Sequence, residues 1–153
     1  MEILRLRISK IIDNNLKKHR IFDEQIKIEP SKLDITPLDR QLIEDAVRIV
    51  EENLKNAEFS VEELATQLNL SRGYLYKKIM KITGKSTLAF IRTIRLKRAQ
   101  QLLIESQLQI AEIAYMLGYN SPKIFTKHFK EEFNMTPSEF VRKYAKEYTY
   151  KPN

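Results

Sequence analysis

Two stretches of this chain are versions of one another, and that repeat limits the fold more than anything else in it. Leu64, Ala65, Leu68, Asn69 and Leu70 match Ile113, Ala114, Leu117, Gly118 and Tyr119, each 49 positions later. Ser71, Leu75, Lys77 and Ile79 match Ser121, Phe125, Lys127 and Phe129, each 50 positions later. The extra residue falls in the turn, at about Asn120. Each copy reads as a short helix, a tight turn and a second helix. A small alanine lets the helices approach, and Asn69 or Gly118 tolerates the positive φ of the turn. Apolar residues on either side pin the crossing, which is the physical content of a helix-turn-helix unit. One copy would be weak evidence, because many helical hairpins carry an alanine and a glycine. Two in register, with similar outward faces, predict an all-α chain built around both.

The outward faces carry the chemistry. In the second helix of the first unit, Leu75, Ile79 and Ile82 point inward. Arg72, Gly73, Tyr76, Lys77 and Met80 then lie outside. In the second unit Phe125 and Phe129 point inward, and Pro122, Lys123, Thr126, Lys127 and Lys130 lie outside. Lysine can donate to guanine O6 and N7, and threonine can meet a thymine methyl, so such a face suits a DNA major groove. Ser71 and Ser121 put a hydroxyl and backbone N–H groups at helix starts, where a phosphate is gripped. The bland alternative for Tyr76, Lys77 and Lys127 is a solvated helix face.

The other elements follow from local signals. Thr36-Pro37-Leu38-Asp39 predicts a helix start, with Leu42, Ile43, Ala46, Val47, Val50 and Leu54 on one face. Ser60 with Glu63 forms a capping box before the first unit, with Phe59 and Leu64 as its staple. Gly84 predicts a left-handed cap after the first outward-facing helix. A long helix runs from Thr87 to Glu105, with Leu88, Ile91, Ala99, Leu102 and Leu103 as its core face. Its nineteen residues span roughly 28 Å at 1.5 Å each. With flanking packing, two outward helices could stand about one DNA turn apart, near 34 Å. A structural role is expected for Arg95, while Arg92, Lys97 and Arg98 are left between phosphate contact and internal pairing. Thr136-Pro137-Ser138-Glu139 starts the last helix, with Met135 and Phe140 as staple. Residues 2–20 carry a stripe, Leu4, Ile8, Ile11, Ile12 and Leu16, that reads as a helix or, in part, as a short strand. Leu4 to Leu16 serves either as a dimer seam or as packing on the domain. The expected division is 1–35 helix and linker, 36–147 double helix-turn-helix domain, and 148–153 tail.

Composition sets outer limits. Lysine and arginine number 27 against 20 acids, for a net charge of +7. Residues 60–85 hold five basic and two acidic groups, and 86–108 hold four and one, so the surplus sits mid-chain. A basic protein attracts polyanions, of which nucleic acid is the commonest. Cysteine is absent and histidine numbers two, His19 and His128. Disulfides, thiolate zinc sites and cysteine nucleophiles are thereby excluded, and no metal or other cofactor is expected. No stretch approaches the roughly 20 apolar residues of a membrane span, and the start does not resemble a signal peptide. Glu62–Glu63 and Glu131–Glu132 are adjacent on helices, so their side chains diverge and suit helix-dipole and solvation roles. No catalytic residue set stands out, and an enzyme is not expected. His128 either packs near Phe125 and Phe129 or touches DNA. Met80 and Met116 read as gap fillers.

Residues 60–145 resemble the DNA-binding domain of AraC/XylS-type transcription regulators. The resemblance rests on Ile91-Arg92-Thr93-Ile94-Arg95-Leu96-Lys97-Arg98-Ala99 with Leu102-Leu103, on Ile110-Ala111-Glu112-Ile113-Ala114 and Gly118-Tyr119, and on Phe125 to Lys130 followed by Met135 to Phe140. It implies a seven-helix domain with two helix-turn-helix units. It places base-contacting positions at Gly73, Tyr76 and Lys77, and at Pro122, Lys123, Thr126 and Lys127. Ser71, Arg72, Lys81, Ser121 and Lys130 are the expected backbone contacts. Gly73 has no side chain to read with, and Pro122 offers no hydrogen bond. Asn134 stands where glycine is usual, and Gln109 where serine is common. Residues 1–59 are similar to the joint between a phosphoreceiver domain and this module in hybrid two-component regulators. That likeness implies a fragment of a larger regulator, an upstream receiver domain, homodimerisation and control of carbohydrate-utilisation genes. The implied partners are promoter double-stranded DNA and RNA polymerase, in the cytoplasm, without membrane contact by this segment. The competing reading is a helical protein-interaction module whose basic face meets acidic protein and reads no DNA sequence.

Overall fold

The computed structural model describes residues 35–149, and seven helices order them. They are α1 (Pro37–Glu52), α2 (Val61–Gln67), α3 (Arg72–Thr83), α4 (Thr87–Glu105), α5 (Ile110–Met116), α6 (Pro122–Phe133) and α7 (Pro137–Thr149). No strand occurs among the described residues. Of the expected helix and linker at 1–35, residues 1–34, with the Leu4–Leu16 stripe, lie outside them. The last helix runs through Thr149, two residues past the expected end of the domain.

The helices begin where the local chemistry places them. The Thr36 hydroxyl accepts the Asp39 N–H at 3.0 Å, and Ser60 accepts that of Glu63 at 3.2 Å. Thr136 makes a full reciprocal box: its hydroxyl accepts the Glu139 N–H at 3.2 Å, and its own N–H donates to Glu139 Oε1 at 3.4 Å. Gln109, the unpromising cap, is served from the other side, its N–H donating to Glu112 Oε1 at 3.5 Å. Each cap satisfies a donor that a helix start otherwise leaves open.

The chain falls into two compact units, dividing between Arg95 and Leu96 inside α4. In the first, α1 packs on α2 and α3. Ile43, Ala46, Ile49, Val50, Leu54, Phe59, Leu64, Leu75, Ile79 and Ile82 are buried there. In the second, α5 packs on α6 and α6 on α7. An aromatic cluster fills that core: the Phe129 ring lies 5.9 Å from Phe125, 4.8 Å from Phe133 and 5.6 Å from Phe140.

The long helix corrects one expectation. Ile91, Ala99, Leu102 and Leu103 are buried, but Leu88 is 60 % exposed. Leu88 stands one turn before half-buried Arg92, on the open side of the first turn, and the core is met instead by Phe90, Ile91 and Ile94. The helix buries most of its circumference, so its apolar periodicity is too weak to orient that first turn.

Candidate nucleic-acid interface

Both helix-turn-helix units close with the same backbone. After α2, Asn69 is left-handed at φ 58°, its N–H bonds the Thr66 carbonyl at 3.0 Å, and the Leu70 N–H bonds that of Ala65 at 2.9 Å. After α5, Gly118 is left-handed at φ 82°, its N–H bonds the Tyr115 carbonyl at 3.1 Å, and the Tyr119 N–H bonds that of Ala114 at 3.0 Å. The paired bonds are a Schellman ending, which satisfies carbonyls that the stopping helix leaves open. Ala65 and Ala114 are buried, so the following helix lies close against each. The sequence repeat is therefore a structural repeat, bond for bond.

The second helices end alike as well. Gly84 closes α3 at φ 75°, and Asn134 closes α6 at φ 61°. Asn69, Gly84, Gly118 and Asn134 are the only residues with positive φ among those described. Asparagine and glycine simply exchange places between the two units. Both tolerate the left-handed region, and other L-residues rarely do.

Ser71 and Ser121 cap α3 and α6 with their hydroxyls, which accept the Tyr74 N–H at 3.1 Å and the Ile124 N–H at 3.3 Å. The inward residues are sealed, with Leu75, Ile79, Phe125 and Phe129 at 0 % exposure. Gly73, Tyr76, Lys77 and Lys81 are exposed on α3, as are Lys123, Lys127 and Lys130 on α6. Pro122 and Thr126 are half-buried. A side-chain carbon at Gly73 would meet nothing within 4 Å, so this position is an open gap in the outer face. Arg72 is exposed but engaged, its guanidinium donating to Glu62 Oε1 at 2.5 Å.

Two exposed residues escaped the sequence reading. Tyr74 and Ile124 are half exposed, on the outer sides of α3 and α6, and occupy equivalent repeat positions. Each directly precedes the first core residue of its helix, Leu75 or Phe125. The signal was present as two large side chains at one repeat position, both a helical step away from the inward face.

The basic side chains of α4 largely turn inward. Arg95 donates to the carbonyls of Leu54 at 3.0 Å and Asn56 at 3.1 Å, closing the end of α1 and the bend after it. Its expected structural role is thus observed. Arg98 is fully buried and donates to Gln101, which resolves it toward internal pairing, while Arg92 and Lys97 are half-buried. His128 is half-buried, its Nδ1 hydrogen-bonded to the Tyr119 hydroxyl at 3.1 Å. The Tyr119 ring meets Phe125 edge-on at 5.3 Å, so of the two roles left open for His128 the packing one is formed.

One ion pair lies on the inner margin of α3. The Lys78 ammonium donates to Asp39 Oδ1 at 3.1 Å. The hydrogen bond from Lys78 holds the Asp39 carboxyl below its ordinary range, against the opposing effect of burial. The same bond raises Lys78.

The chain is similar to known proteins in sequence and fold. Residues 64–143 match the family described as a helix-turn-helix domain. Histidine kinase P4 of Formosa agariphila is 39 % identical over 144 residues, which are 94 % of this chain and 10 % of that protein. The chain therefore spans a tenth of that relative's length. The C-terminal domain of AraT, a response regulator from Geobacillus stearothermophilus, superposes with a TM-score of 0.62 at 26 % identity, over 72 % of this chain and 88 % of that one. The DNA-binding domain of AdpA, a global transcriptional factor in complex with a target DNA, gives a TM-score of 0.61 at 28 % identity, over 67 % and 91 %. With the two matching turns, the caps and the exposed basic helices, these likenesses place the chain in the AraC/XylS-type family of helix-turn-helix transcription regulators.

Proposed function

We propose that this chain is the sequence-reading, DNA-binding output module of a transcription regulator, and that α3 and α6 are its two recognition helices. The observation that carries this reading is the duplicated unit. Two helices with sealed inner faces and exposed basic outer faces are each presented by the same Schellman turn. In this reading Tyr76 and Lys77 of α3 and Lys123, Thr126 and Lys127 of α6 face base edges. Gly73 and Pro122 shape the approach without donating a hydrogen bond from a side chain. Ser71, Arg72, Lys81, Ser121 and Lys130 meet the phosphate backbone, with Arg72 exchanging Glu62 for a phosphate. The AdpA domain bound to its target DNA supports the DNA partner. The kinase relative and the response regulator AraT support a place in a two-component regulator; the proposed place is downstream of a receiver domain, in the cytoplasm. RNA polymerase, a second copy of the chain and carbohydrate-utilisation promoters complete the proposed setting.

Selection from a random double-stranded pool at about 150 mM salt tests this, since that salt suppresses purely phosphate-driven binding. A motif with two half-elements is expected. Lys77→Ala and Lys127→Ala should each cost about 1 to 3 kcal/mol, each relaxing preference in one half-element. A pool recovered without any motif, from both the chain and an artificially dimerised version, overturns the reading.

A further inference from the structure

Asp39 and Lys78 are 39 positions apart, yet they form a hydrogen-bonded ion pair. Asp39 is held twice: its carboxylate takes the Lys78 ammonium, and its backbone N–H is fixed by the Thr36 cap. Its side chain is only 7 % exposed and that of Lys78 27 %. Both ends of the pair are therefore removed from most competing water. Lys78 follows outward-facing Lys77 and precedes fully buried Ile79, so it sits where the outer face of α3 turns into the core. Its ammonium also lies 5.8 Å over the ring of exposed Tyr74, one turn back. The first turn of α1 thus grips α3 at the residue between its reading face and its packing face. The equivalent place in the second unit, 50 positions on, is His128, which bonds Tyr119 of its own turn. The first recognition helix is gripped by a helix from outside its own motif, and that helix is the one that residues 1–36 lead into.

We infer that Asp39 is a positioning residue for DNA reading by α3, acting through its ion pair with Lys78. The inference rests on the proposed role of α3 as a recognition helix. Asp39 touches no base in this scheme; it acts by fixing the roll of α3 and the placement of Tyr74 and Lys77. A device of this kind acts on one half of a bipartite site and leaves the other half alone.

The test uses the full chain and the site obtained by selection, with Lys77→Ala and Lys127→Ala identifying which half-element belongs to which helix. Binding is measured for the parent, Asp39→Asn, Lys78→Met, the double variant and Asp39→Glu, on the intact site and on sites altered in one half. A single altered base pair should weaken the parent roughly ten-fold. In Asp39→Asn and Lys78→Met that ratio should fall several-fold in the α3 half-element and stay at the parent value in the α6 half-element. The double variant should lose no more than the single ones, because both remove the same pair. Asp39→Glu, which keeps the charge, should restore the parent ratio. Thermal melts confirm that each variant is folded at the assay temperature. Equal losses in both halves, or unchanged ratios in a folded Asp39→Asn, overturn the inference while leaving DNA reading intact. A parent that selects no motif removes the DNA reading and this inference with it.

Discussion

The four left-handed residues make a prediction whose size comes from backbone geometry alone. Gly84 sits at φ 75° and ψ 7°, with its N–H bonded to the Met80 carbonyl at 2.9 Å. A side-chain carbon placed on it would meet nothing within 4 Å. Replacing Gly84 by alanine therefore creates no clash, and its cost is the strain of holding an L-residue in the left-handed region, about 1 to 2 kcal/mol. Alanine also stiffens the unfolded chain, which offsets roughly 0.4 to 1 kcal/mol. The expected net loss is about 1 kcal/mol, or a fall in Tm of about 4 to 8 °C for a small domain. Gly84→Asn should cost only a fraction of that, because Asn134 fills the equivalent place at φ 61°. Asn134→Gly should be close to neutral for the same reason. Urea unfolding of the three variants beside the parent gives the comparison, with unchanged m-values confirming a shift in stability alone. If Gly84→Ala proves as stable as the parent, α3 does not end in a left-handed residue and the reasoning fails. Equal losses for Gly84→Ala and Gly84→Asn would sink it too, since strain would then not be the cause.

Three further outcomes follow from other contacts. Arg95→Met should destabilise the first unit by about 2 to 3 kcal/mol, because the Leu54 and Asn56 carbonyls lose a charged donor; hydrogen exchange at the end of α1 would report the opening. Phe129→Ala removes the centre of the aromatic cluster and should cost about 3 to 5 kcal/mol in chemical denaturation, with Phe129→Leu losing clearly less. The Asp39–Lys78 pair sets a pH dependence: the folded carboxyl lies below its unfolded value, so its contribution is complete above about pH 5 and fades as pH falls through the depressed value. Lys78 is raised, so its part persists through neutral pH and is lost only in strong alkali. The stability gap between parent and Asp39→Asn should accordingly be flat near neutrality and close in acid; a gap that widens in acid would contradict the pair.

What the residues alone revealed was local. Helix starts at Thr36, Ser60, Ser71, Ser121 and Thr136 were legible because a cap is chosen within one turn of its partner. The two turns were legible because Asn or Gly before Ser, at one repeat position, answers a backbone need that no distant contact can change. The inward faces of α3 and α6 followed from spacing, and so did the outward faces opposite them; the candidate reading residues within those faces were implied by the family resemblance. Tertiary structure decided everything that depended on a partner far along the chain. Leu88 is exposed because the first turn of α4 meets its core through Phe90, Ile91 and Ile94 instead. Arg95 shares one basic run with Arg92 and Lys97, yet it turns inward to the Leu54 and Asn56 carbonyls, 41 and 39 residues away. Arg72 meets Glu62, His128 meets Tyr119, and Lys78 meets Asp39 across 39 residues. A lysine or arginine has the same helical propensity whether it faces a carbonyl, a carboxylate or water. Its partner is set by which elements pack together, and that information lies in the fold.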